Sequence, residues 1–551
     1  MLHFFASEGL PDWAATVPAG RRALRQRAHQ APRLFTVGLA LVLSASTIAP
    51  ALHAQPASQY LGNRANTPGN FRGSFDNARD GTLVGWAIDG STPEKPVQVV
   101  FTVQRYPLGQ ATVIGATTPN IVRPDVNAAQ GKAAGAFGFA FRIPDAYRDG
   151  RKYYVTATAQ SGPTKVTLPG SPKAFAIGEG VELGGAETVV FDHAKESCEP
   201  ADIPDSAAHV FRDIRGNIEL LAAHEVTYRM IGPDFDHLRK DCSEPVMRSD
   251  HDPDPSKFED QEWVASPYTP DGKTVYAIIH DEYHPWEHKG GPFDQAAMCG
   301  VPAQDRLPKC WYNDLTYAVS NDAGRTFTHP APPAQLLGSL PYRYEPEMGK
   351  TGLFGPSNIV HNEKDGYFYA MAYGVVRNDG SSGRTCLFRT KTLNDPKSWR
   401  AWNGSAFDLK FHDPYRETIR NPEAESCTSV VTIHIARSLT FNRFLGKWLV
   451  VGDGSGPAFG RRVNGFYYAL SDDLIHWSEP KLIVEARISW TDPRVTEGPI
   501  TAYPSLIDQT DTSRNFEYSG RDNYLYYTLW EQGSPWTRNL VRIPIRFAAA
   551  N

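Results

Sequence analysis

The sequence predicts an all-β protein in which a small β-sandwich is followed by a β-propeller. The chain contains 43 Pro and 46 Gly, and 11% of its residues are aromatic. This composition favours strands and turns over long helices. After residue 178, pairs of short strands recur along the chain, as they do in propellers. With 551 residues, the chain is long enough for two or three domains.

Residues 1–54 have the pattern of an export signal. Five arginines between Arg21 and Arg33 precede an apolar run, Leu34 to Ala45, that is too short to span a bilayer comfortably. An uncleaved membrane anchor is the alternative. We predict a secreted or periplasmic protein with no membrane association after signal cleavage. Without this basic segment the chain is more acidic than its net charge of −5, which argues against nucleic acid as a partner.

The six cysteines all lie after the predicted signal, and an even number in an exported chain indicates disulfides. Proximity in the sequence is the basis for the predicted pairing. The predicted pairs are Cys198–Cys242, Cys299–Cys310 and Cys386–Cys427.

The exported part divides into a linker and two predicted domains. Residues 55–70 are polar and rich in turn formers, as linkers are. Residues 71–178 contain short strand-like runs separated by turns and are predicted to form the sandwich. Gly85–Asp89 (GWAID) and Gly138–Phe141 (GFAF) resemble a small β-sandwich module found beside bacterial carbohydrate-active domains. The resemblance implies an accessory domain, either glycan-binding or a spacer.

Residues 179–551 are predicted to form a five-bladed propeller, with four or six blades as alternatives. Five repeating units carry the prediction, and we number them one to five in chain order. Glu187–Phe191 is expected to complete the last blade against Leu540–Ile545. The first two strands of the units are His209–Ile214 with Ile218–His224, Trp263–Tyr268 with Val275–His280, Ser357–His361 with Tyr367–Tyr373, Arg437–Phe441 with Trp448–Gly452, and Tyr503–Asp508 with Tyr524–Trp530.

Two turn motifs support the propeller. Ser320–Phe327 reads S-x-D-x-G-x-T-F, in which Asp322 can bond the turn backbone and Gly324 can adopt a positive φ. It resembles the Asp-box of sialidases and other propeller glycosidases. Ser471–Trp477 reads S-x-D-L-x-x-W and resembles a turn of furanosidase-type propeller hydrolases such as arabinanases and invertases.

The propeller half as a whole, residues 180–547, also resembles secreted bacterial proteins of the sialidase-like group. Phrases that carry this resemblance include Ile279–His284 (IHDEYH), Cys310–Thr316 (CWYNDLT) and Tyr503–Asp508 (YPSLID). The resemblance is strong over this range, and it implies little about the reaction.

Candidate catalytic residues come from one face of the ring. Because strand direction alternates, residues that enter the first strand and leave the second strand of each unit share a face, and propeller enzymes bind substrate there. Glycoside hydrolysis needs two carboxylates about 5–10 Å apart, one of which keeps a raised pKa. We predict Asp213 as base or nucleophile, because furanosidase-type propellers place theirs on the first inner strand. Glu282 is the predicted acid, and Asp260 is predicted to tune it.

Further polar and aromatic residues on the same rim are predicted to bind substrate. They are Arg212, His224, His280, His284, Trp263, Tyr373, Arg437 and Trp530. Two alternatives stay open: Asp213 caps a loop or pairs with Arg215, and Glu282 is a solvated loop residue. No metal and no cofactor are predicted, although the histidines between His280 and His288 leave a cation site open, as does a structural calcium ion.

We predict hydrolysis of glycosidic bonds in a polysaccharide or glycoconjugate. One alternative is a polysaccharide lyase, with His280 or Tyr283 as base and an arginine neutralising a uronate. The other is a non-catalytic propeller that binds glycans at a surface.

Overall fold

The computed structural model describes residues 70–549, except for residues 94, 96, 106–108, 130–134, 291, 293–309, 347, 377–382, 491–497, 532, 533 and 535. The predicted signal and nearly all of the predicted linker lie outside this range. The fold is all-β. In the described chain, helical structure consists of α1 (Pro124–Ala129), α2 (His193–Glu196) and the 3-10 turns Asp145–Tyr147 and Pro396–Ser398. None of these helices is long and apolar enough to cross a membrane.

The first strands form a β-sandwich, as predicted. They are β1 (Phe71–Arg79), β2 (Thr82–Asp89), β3 (Gln98–Arg105), β4 (Thr112–Thr117), β5 (Gly138–Arg142), β6 (Tyr153–Ser161), β7 (Thr164–Thr167), β8 (Lys173–Ile177) and β9 (Val181–Gly185). One sheet has the order β1-β2-β5, and the facing strands have the order β9-β8-β6-β3-β4. Alternating apolar residues fill the space between them, including Phe75, Phe101, Phe139 and Phe175.

The propeller strands follow. They are β10 (Thr188–Phe191); β11 (His209–Arg212), β12 (Ile218–Leu221), β13 (Val226–Thr227), β14 (Met230–Gly232), β15 (Arg239–Lys240) and β16 (Met247–Arg248) in unit one; β17 (Gln261–Tyr268), β18 (Val275–Tyr283), β19 (Cys310–Ser320) and β20 (Leu336–Gly338) in unit two; β21 (Gly349–Phe354), β22 (Val360–Asn362), β23 (Tyr367–Val375), β24 (Arg384–Thr390), β25 (Arg400–Trp402) and β26 (Phe407–Lys410) in unit three; β27 (Ile435–Asn442), β28 (Lys447–Ala458), β29 (Arg461–Ser471) and β30 (Lys481–Glu485) in unit four; and β31 (Ile500–Ile507), β32 (Tyr518–Ser519), β33 (Asp522–Trp530) and β34 (Arg538–Phe547) in unit five.

Most units are antiparallel meanders. The orders are β11-β12-β14-β15 in unit one, β17-β18-β19-β20 in unit two and β27-β28-β29-β30 in unit four. Unit three has a composite first strand, because β22 pairs with the start of β23 and β21 pairs with its end. The strand β21 also runs parallel to the start of β19. This link joins units two and three and was not predicted.

The ring is closed by a strand from upstream of unit one, as predicted. In β10, Thr188 pairs with Arg542 and Val189 pairs with Val541 on β34. The same β34 pairs further along with β9, where Leu183 faces Ile545. One sheet therefore continues from unit five into the sandwich.

Two of the predicted disulfides are confirmed. Cys198 is bonded to Cys242 and Cys386 to Cys427, with Cα–Cα distances of 5.3 and 5.5 Å. The third predicted pair includes Cys299, which lies outside the described residues. Cys310 is itself in a disulfide.

The turn after β19 is closed by its own side chains, as predicted. The Asp322 Oδ1 atom accepts from the Thr326 backbone N–H at 3.0 Å, and Gly324 has a φ of +83°. The Gly324 N–H donates to the Ser320 hydroxyl. The turn after β29 is built in the same way around Asp473, which accepts from the N–H groups of Ile475 and His476.

Candidate functional site

A cavity of about 180 Å³ opens where units one to five converge. Every unit contributes to its lining. The lining residues that matter for chemistry are Asp205, Trp263, His280, Glu282, Trp311, Lys350, Phe354, Arg437, Trp490, Tyr503, Trp530 and Arg538.

The cavity lies at the start of the first strand and the end of the second strand of the units, as the sequence predicts. In unit two Trp263 near the start of β17 pairs with His280 near the end of β18. In unit five Ile500 pairs with Trp530, and Trp530 pairs with Arg538. The opposite ends carry the tight turns, where the Ile214 N–H donates to the Gly272 carbonyl.

Asp205 is a carboxylate in this cavity that the sequence analysis missed. It lies in the loop before β11. Its Oδ1 accepts from the Tyr503 hydroxyl at 2.9 Å and forms an ion pair with Arg538. Its Oδ2 lies 3.8 Å from His224 Nε2. Tyr503 and Arg538 of unit five therefore hold this carboxylate, and His224 of unit one lies beside it.

Tyr503, which holds Asp205, has a strained backbone. Its φ is +57°, which is uncommon for a bulky residue and recurs at functional sites. It sits at an irregularity in the pairing of β31 with β33. Burial raises the pKa of its hydroxyl well above the ordinary value. Tyr503 is therefore a neutral hydrogen-bond donor to Asp205.

Glu282 lies in the cavity wall, but its electrostatics differ from the prediction. Burial raises its pKa, yet the hydrogen bond from His284 at 2.9 Å and the charges of His284 and Lys350 outweigh burial and bring the pKa to about 2. The pKa of His284 is correspondingly raised to about 10, because hydrogen bonds to Glu282 and Glu287 outweigh its own burial. Glu282 and His284 therefore form an ion pair at neutral pH, and the predicted raised pKa of Glu282 is wrong.

His280 adds a neutral imidazole to the cavity. Burial is the main cause that lowers its pKa to about 4. Its Nε2 atom accepts a hydrogen bond from Asn313 at 2.8 Å, and lies 3.6 Å from Glu282. His280 is thus uncharged at neutral pH.

Arg437 also lines the cavity and is held by Asp453. The distance from Arg437 Nε to Asp453 Oδ2 is 3.3 Å, and the Asp453 side chain is fully buried behind it. Burial raises the pKa of Asp453 to about 6 despite the charge of Arg437. Gly355 makes room for the guanidinium, because a Cβ at this position would lie 2.1 Å from an Arg437 Nη atom.

Three predicted site residues lie away from the cavity lining. Asp213 follows the last residue of β11, so the expectation that it enters the strand is wrong. Its carboxylate caps the turn by accepting from the Arg215 and Asn217 N–H groups at 2.8 Å, which is the alternative of a loop cap. Arg212 donates to the Asp511 carbonyl at the same end of β11. Asp260 is buried and accepts from the His284 N–H, with His288 Nε2 at 2.9 Å.

The other predicted residues fall into two groups. Trp263, His280, Glu282, Arg437 and Trp530 line the cavity. His224, His284 and Tyr373 pack behind its lining. Of these, His224 makes an edge-to-face contact with the Trp263 ring, and Tyr373 packs against His434. His284 contacts Glu282 directly.

Several lining residues had a weak signal in the sequence. Asp205 stands four residues before β11. It belongs to the predicted rim when the residues before β11, instead of those at its end, are taken as the ones that enter the strand. Tyr503 was on that rim but received no role. Lys350 is on β21, which was not predicted. Trp490 and Arg538 lie outside the first two strands of any unit.

The described residues contain no group of three or more His, Cys, Asp or Glu side chains arranged to hold a metal ion. The histidines between His280 and His288 are instead engaged with carboxylates. His284 contacts Glu282, and His288 contacts Asp260.

No protein-family model and no curated protein matches the chain. Solved structures similar to it include an α-L-arabinanase from Cellvibrio cellulosa complexed with arabinohexaose, with 11% identity and a TM-score of 0.32 over 62% of this chain and 91% of that one. A GH43_1 enzyme from Xanthomonas citri complexed with xylose has 12% identity and a TM-score of 0.33, covering 65% and 89%. A glycosyl hydrolase from Bacteroides ovatus has 14% identity and a TM-score of 0.25, covering 53% and 86%.

These sequence identities and TM-scores are too low to support an inference about activity. The assignment of a functional site therefore rests on the geometry of the cavity. The resemblance to sialidase-like proteins and the identity of the N-terminal module stay predictions.

Proposed function

We propose that this protein is an exported glycoside hydrolase whose five units are the blades of one propeller. The observation that supports it is the meeting of two carboxylates, Asp205 and Glu282, in one cavity walled by aromatic rings. Paired carboxylates are the machinery of most glycosidases, and aromatic faces suit the apolar faces of sugars. The disulfides favour a secreted or periplasmic location.

Asp205 is the proposed base or nucleophile, in place of Asp213. It is fixed by the Tyr503 hydroxyl and by Arg538. Hydrogen bonds from a hydroxyl and a guanidinium fix the orientation of the carboxylate. This role needs a carboxylate in the cavity, which Asp205 provides.

Glu282 is the proposed acid, and His284 controls whether it can carry a proton. In the structure, the hydrogen bond from His284 keeps Glu282 ionised. If a bound sugar takes over this hydrogen bond, burial becomes the dominant influence and raises the pKa of Glu282. The acid is thus formed on substrate binding.

A polysaccharide lyase is the second candidate. The ionised state of Glu282 favours it, because a lyase needs no protonated carboxyl acid beside the leaving sugar. His280, neutral and in the cavity, is the base in this case. Tyr283 does not fit that role, since its hydroxyl donates to the Pro253 carbonyl and it is not among the lining residues.

One assay separates the two. The oxidatively folded protein is incubated with a panel of polysaccharides while new reducing ends and ultraviolet absorbance are both followed, with Glu282→Gln alongside. Hydrolysis gives reducing ends without absorbance and is lost in the variant. Absorbance from an unsaturated product would identify a lyase. Inactivity on the whole panel, with one glycan retained by both proteins, would contradict catalysis and favour a glycan-binding propeller.

A further inference from the structure

Asp453 is a buried carboxylate that lies behind the cavity and is not among the residues that line it. It belongs to β28 of unit four, where it pairs with the apolar residues Ile435 on β27 and Phe466 on β29. Its side chain is 0% exposed, and its Oδ2 atom lies 3.3 Å from Arg437 Nε. Burying a carboxylate is unfavourable even when it is paired. A position next to the functional site gives this carboxylate a reason to be there.

Arg437 connects Asp453 with the aromatic wall of the cavity. The centre of its guanidinium lies 5.0 Å from the ring centre of Trp490 and 4.8 Å from that of Tyr503. The Arg437 side chain is only 6% exposed. Cation–aromatic contacts of this length are favourable and strengthen when the cation is desolvated. Asp453 therefore fixes a cation against which the Tyr503 ring packs.

Tyr503 connects this ion pair with the proposed base or nucleophile. Its backbone φ is +57°, at an irregularity in the pairing of β31 with β33. A strained conformation of this kind persists only where its surroundings fix it. Asp453 is part of those surroundings, because the Tyr503 N–H group favours its ionised form. At the other end of the side chain, the Tyr503 hydroxyl donates to Asp205 Oδ1 at 2.9 Å.

The charge on Asp453 depends on pH in a range that an exported protein can meet. Burial is the largest influence and raises the pKa of Asp453 to about 6. The charge of Arg437, the Tyr503 N–H group and Trp490 act in the opposite direction. Lys350 is a further cation that interacts with the charge of Asp453. When Asp453 becomes neutral, Arg437 lacks its counter-charge. A buried cation without a partner is unfavourable, so the guanidinium leaves its place against Tyr503.

We propose that Asp453 is a positioning residue for Asp205. Arg437 and Tyr503 transmit its effect, so that a side chain of unit four controls a carboxylate in the loop before unit one. Ionised Asp453 maintains the arrangement and neutral Asp453 releases it. Asp205 is the base or nucleophile only under the proposed function, on which this inference rests.

Asp453→Asn tests the inference, because asparagine keeps the size of the side chain and removes its charge. Rates are measured on the glycan that the wild type cleaves, at a temperature at which the variant is folded. We expect kcat to fall by about tenfold to a hundredfold, since a small displacement of a reacting group slows the chemical step. KM should change little, because Asp453 makes no contact in the cavity. A wild-type kcat in this variant would overturn the inference.

Glu219→Gln is the matched control. Glu219 is also a buried carboxylate, 1% exposed and 3.3 Å from an arginine, Arg229. It lies on β12 and does not line the cavity. We expect its kcat to equal that of the wild type. An equal loss of kcat in both variants would show a general effect of buried ion pairs and overturn a specific role for Asp453.

The pH dependence of kcat provides a readout that a merely structural residue would not change. Wild-type kcat should decrease as the pH falls through about 6, where Asp453 is protonated. Asp453→Asn should have a low kcat on both sides of this pH, without the inflection. Glu282 and His284 titrate far from it, at about 2 and about 10. An inflection near pH 6 that persists in the variant would overturn the inference.

A double variant tests whether the effect passes through Tyr503. Tyr503→Phe removes the hydroxyl that holds Asp205, and kcat should again fall by about tenfold or more. If Asp453 acts through this hydroxyl, its substitution should cause little further loss in the Tyr503→Phe background, because the effects of coupled residues are not additive. Two effects that multiply in the double variant would overturn the proposed path.

Crystal structures distinguish a failure of this inference from a failure of the proposed function. The oxidatively folded wild type is crystallised at about pH 5 and about pH 8, on either side of the pKa of Asp453. We expect the Tyr503–Asp205 hydrogen bond at the higher pH and its loss at the lower. This readout needs neither a variant nor activity. A wild type that cleaves no glycan but shows this change would contradict the hydrolase and uphold the link. Cleavage that depends on Asp205, with the same hydrogen bond at both pH values, would uphold the hydrolase and overturn the inference.

Discussion

At the scale of single residues, the neighbours of a carboxylate decide its role. Asp205, Asp213 and Glu282 are all poorly exposed acids at strand ends. Asp213 is committed to three turn hydrogen bonds. Asp205 is held by a hydroxyl and a guanidinium in the cavity, and Glu282 is held by an imidazolium. A sequence shows the acid but not the partner.

The ion pair between Glu282 and His284 makes stability depend on pH. The pKa of Glu282 is lowered from 4.5 to about 2, so its contribution is present above pH 4.5 and is lost as the pH falls to about 2. The pKa of His284 is raised from 6.5 to about 10, so its contribution is present below pH 6.5 and is lost as the pH rises through about 10. The two contributions are complete together between pH 4.5 and 6.5.

We expect His284→Gln to lower the melting temperature most between those two pH values. The difference from wild type should shrink at more acid and more alkaline pH. Thermal unfolding across a pH series measures it. An unchanging difference across the whole range would contradict the ion pair.

The turn around Asp213 gives a second prediction at this scale. Asp213→Ala removes the acceptor for the N–H groups of Arg215 and Asn217. We expect a loss of unfolding free energy of about 1–3 kcal/mol, as for other lost buried acceptors. Urea unfolding measures this loss. A variant that is folded under the assay conditions but inactive would contradict a purely structural role.

The residue scale also shows what the sequence could not provide. The rim of the cavity was predicted from strand direction, and Glu282, His280 and Arg437 lie on it. Asp205 was missed because Arg212 and Asp213 were placed where the chain enters β11, whereas β11 ends at Arg212 and Asp213 belongs to the far turn. Polar residues in irregular segments follow no strand periodicity, so the sequence does not show on which face of the ring they lie.

At the scale of elements, the ring depends on a strand that is distant in sequence. The strand β10 is the outer partner of β34. The alternation of apolar and polar residues predicts both strands. Their pairing follows because the first and last blades of a closed propeller must be joined. By contrast, β21 pairs in parallel with β19, a contact between neighbouring units that no local pattern reveals.

Val189→Pro tests this closure. Val189 pairs with Val541 in the centre of β10, and proline removes a ladder donor and fits poorly between paired strands. We expect a drop of about 1–3 kcal/mol in unfolding free energy, because a ladder hydrogen bond is lost and its acceptor is left unsatisfied. Val113→Pro, in the exposed part of strand β4, is the control. Equal stability of the two variants would contradict closure by β10.

At the scale of the whole molecule, the sandwich is attached to the propeller by a shared sheet and by buried charge. Lys152 of the sandwich forms an ion pair with Glu187 and donates to the Tyr527 hydroxyl at 2.8 Å. Both charged side chains are at most 9% exposed. Arg105 makes a second link to Glu485 at 3.2 Å, but its side chain is 53% exposed. We propose that residues 71–178 and 179–551 are two domains that unfold together.

Lys152→Met should therefore destabilise the whole protein. Removing one partner of a buried ion pair costs about 3–5 kcal/mol, whereas an exposed pair contributes about 1 kcal/mol or less. Arg105→Met is the matched control. Urea unfolding followed by circular dichroism should show one shifted transition for Lys152→Met, and two separate transitions would contradict the coupling.

The most direct test of the central claim compares two aspartates that sequence reasoning could not separate. Asp205→Asn and Asp213→Asn are assayed for new reducing ends on the glycan that the wild type cleaves. We predict that Asp205→Asn lowers the rate by about a thousandfold or more at a temperature at which the variant is still folded, and that Asp213→Asn keeps nearly full activity. An active Asp205→Asn variant, or an inactive Asp213→Asn variant of normal stability, would contradict the account.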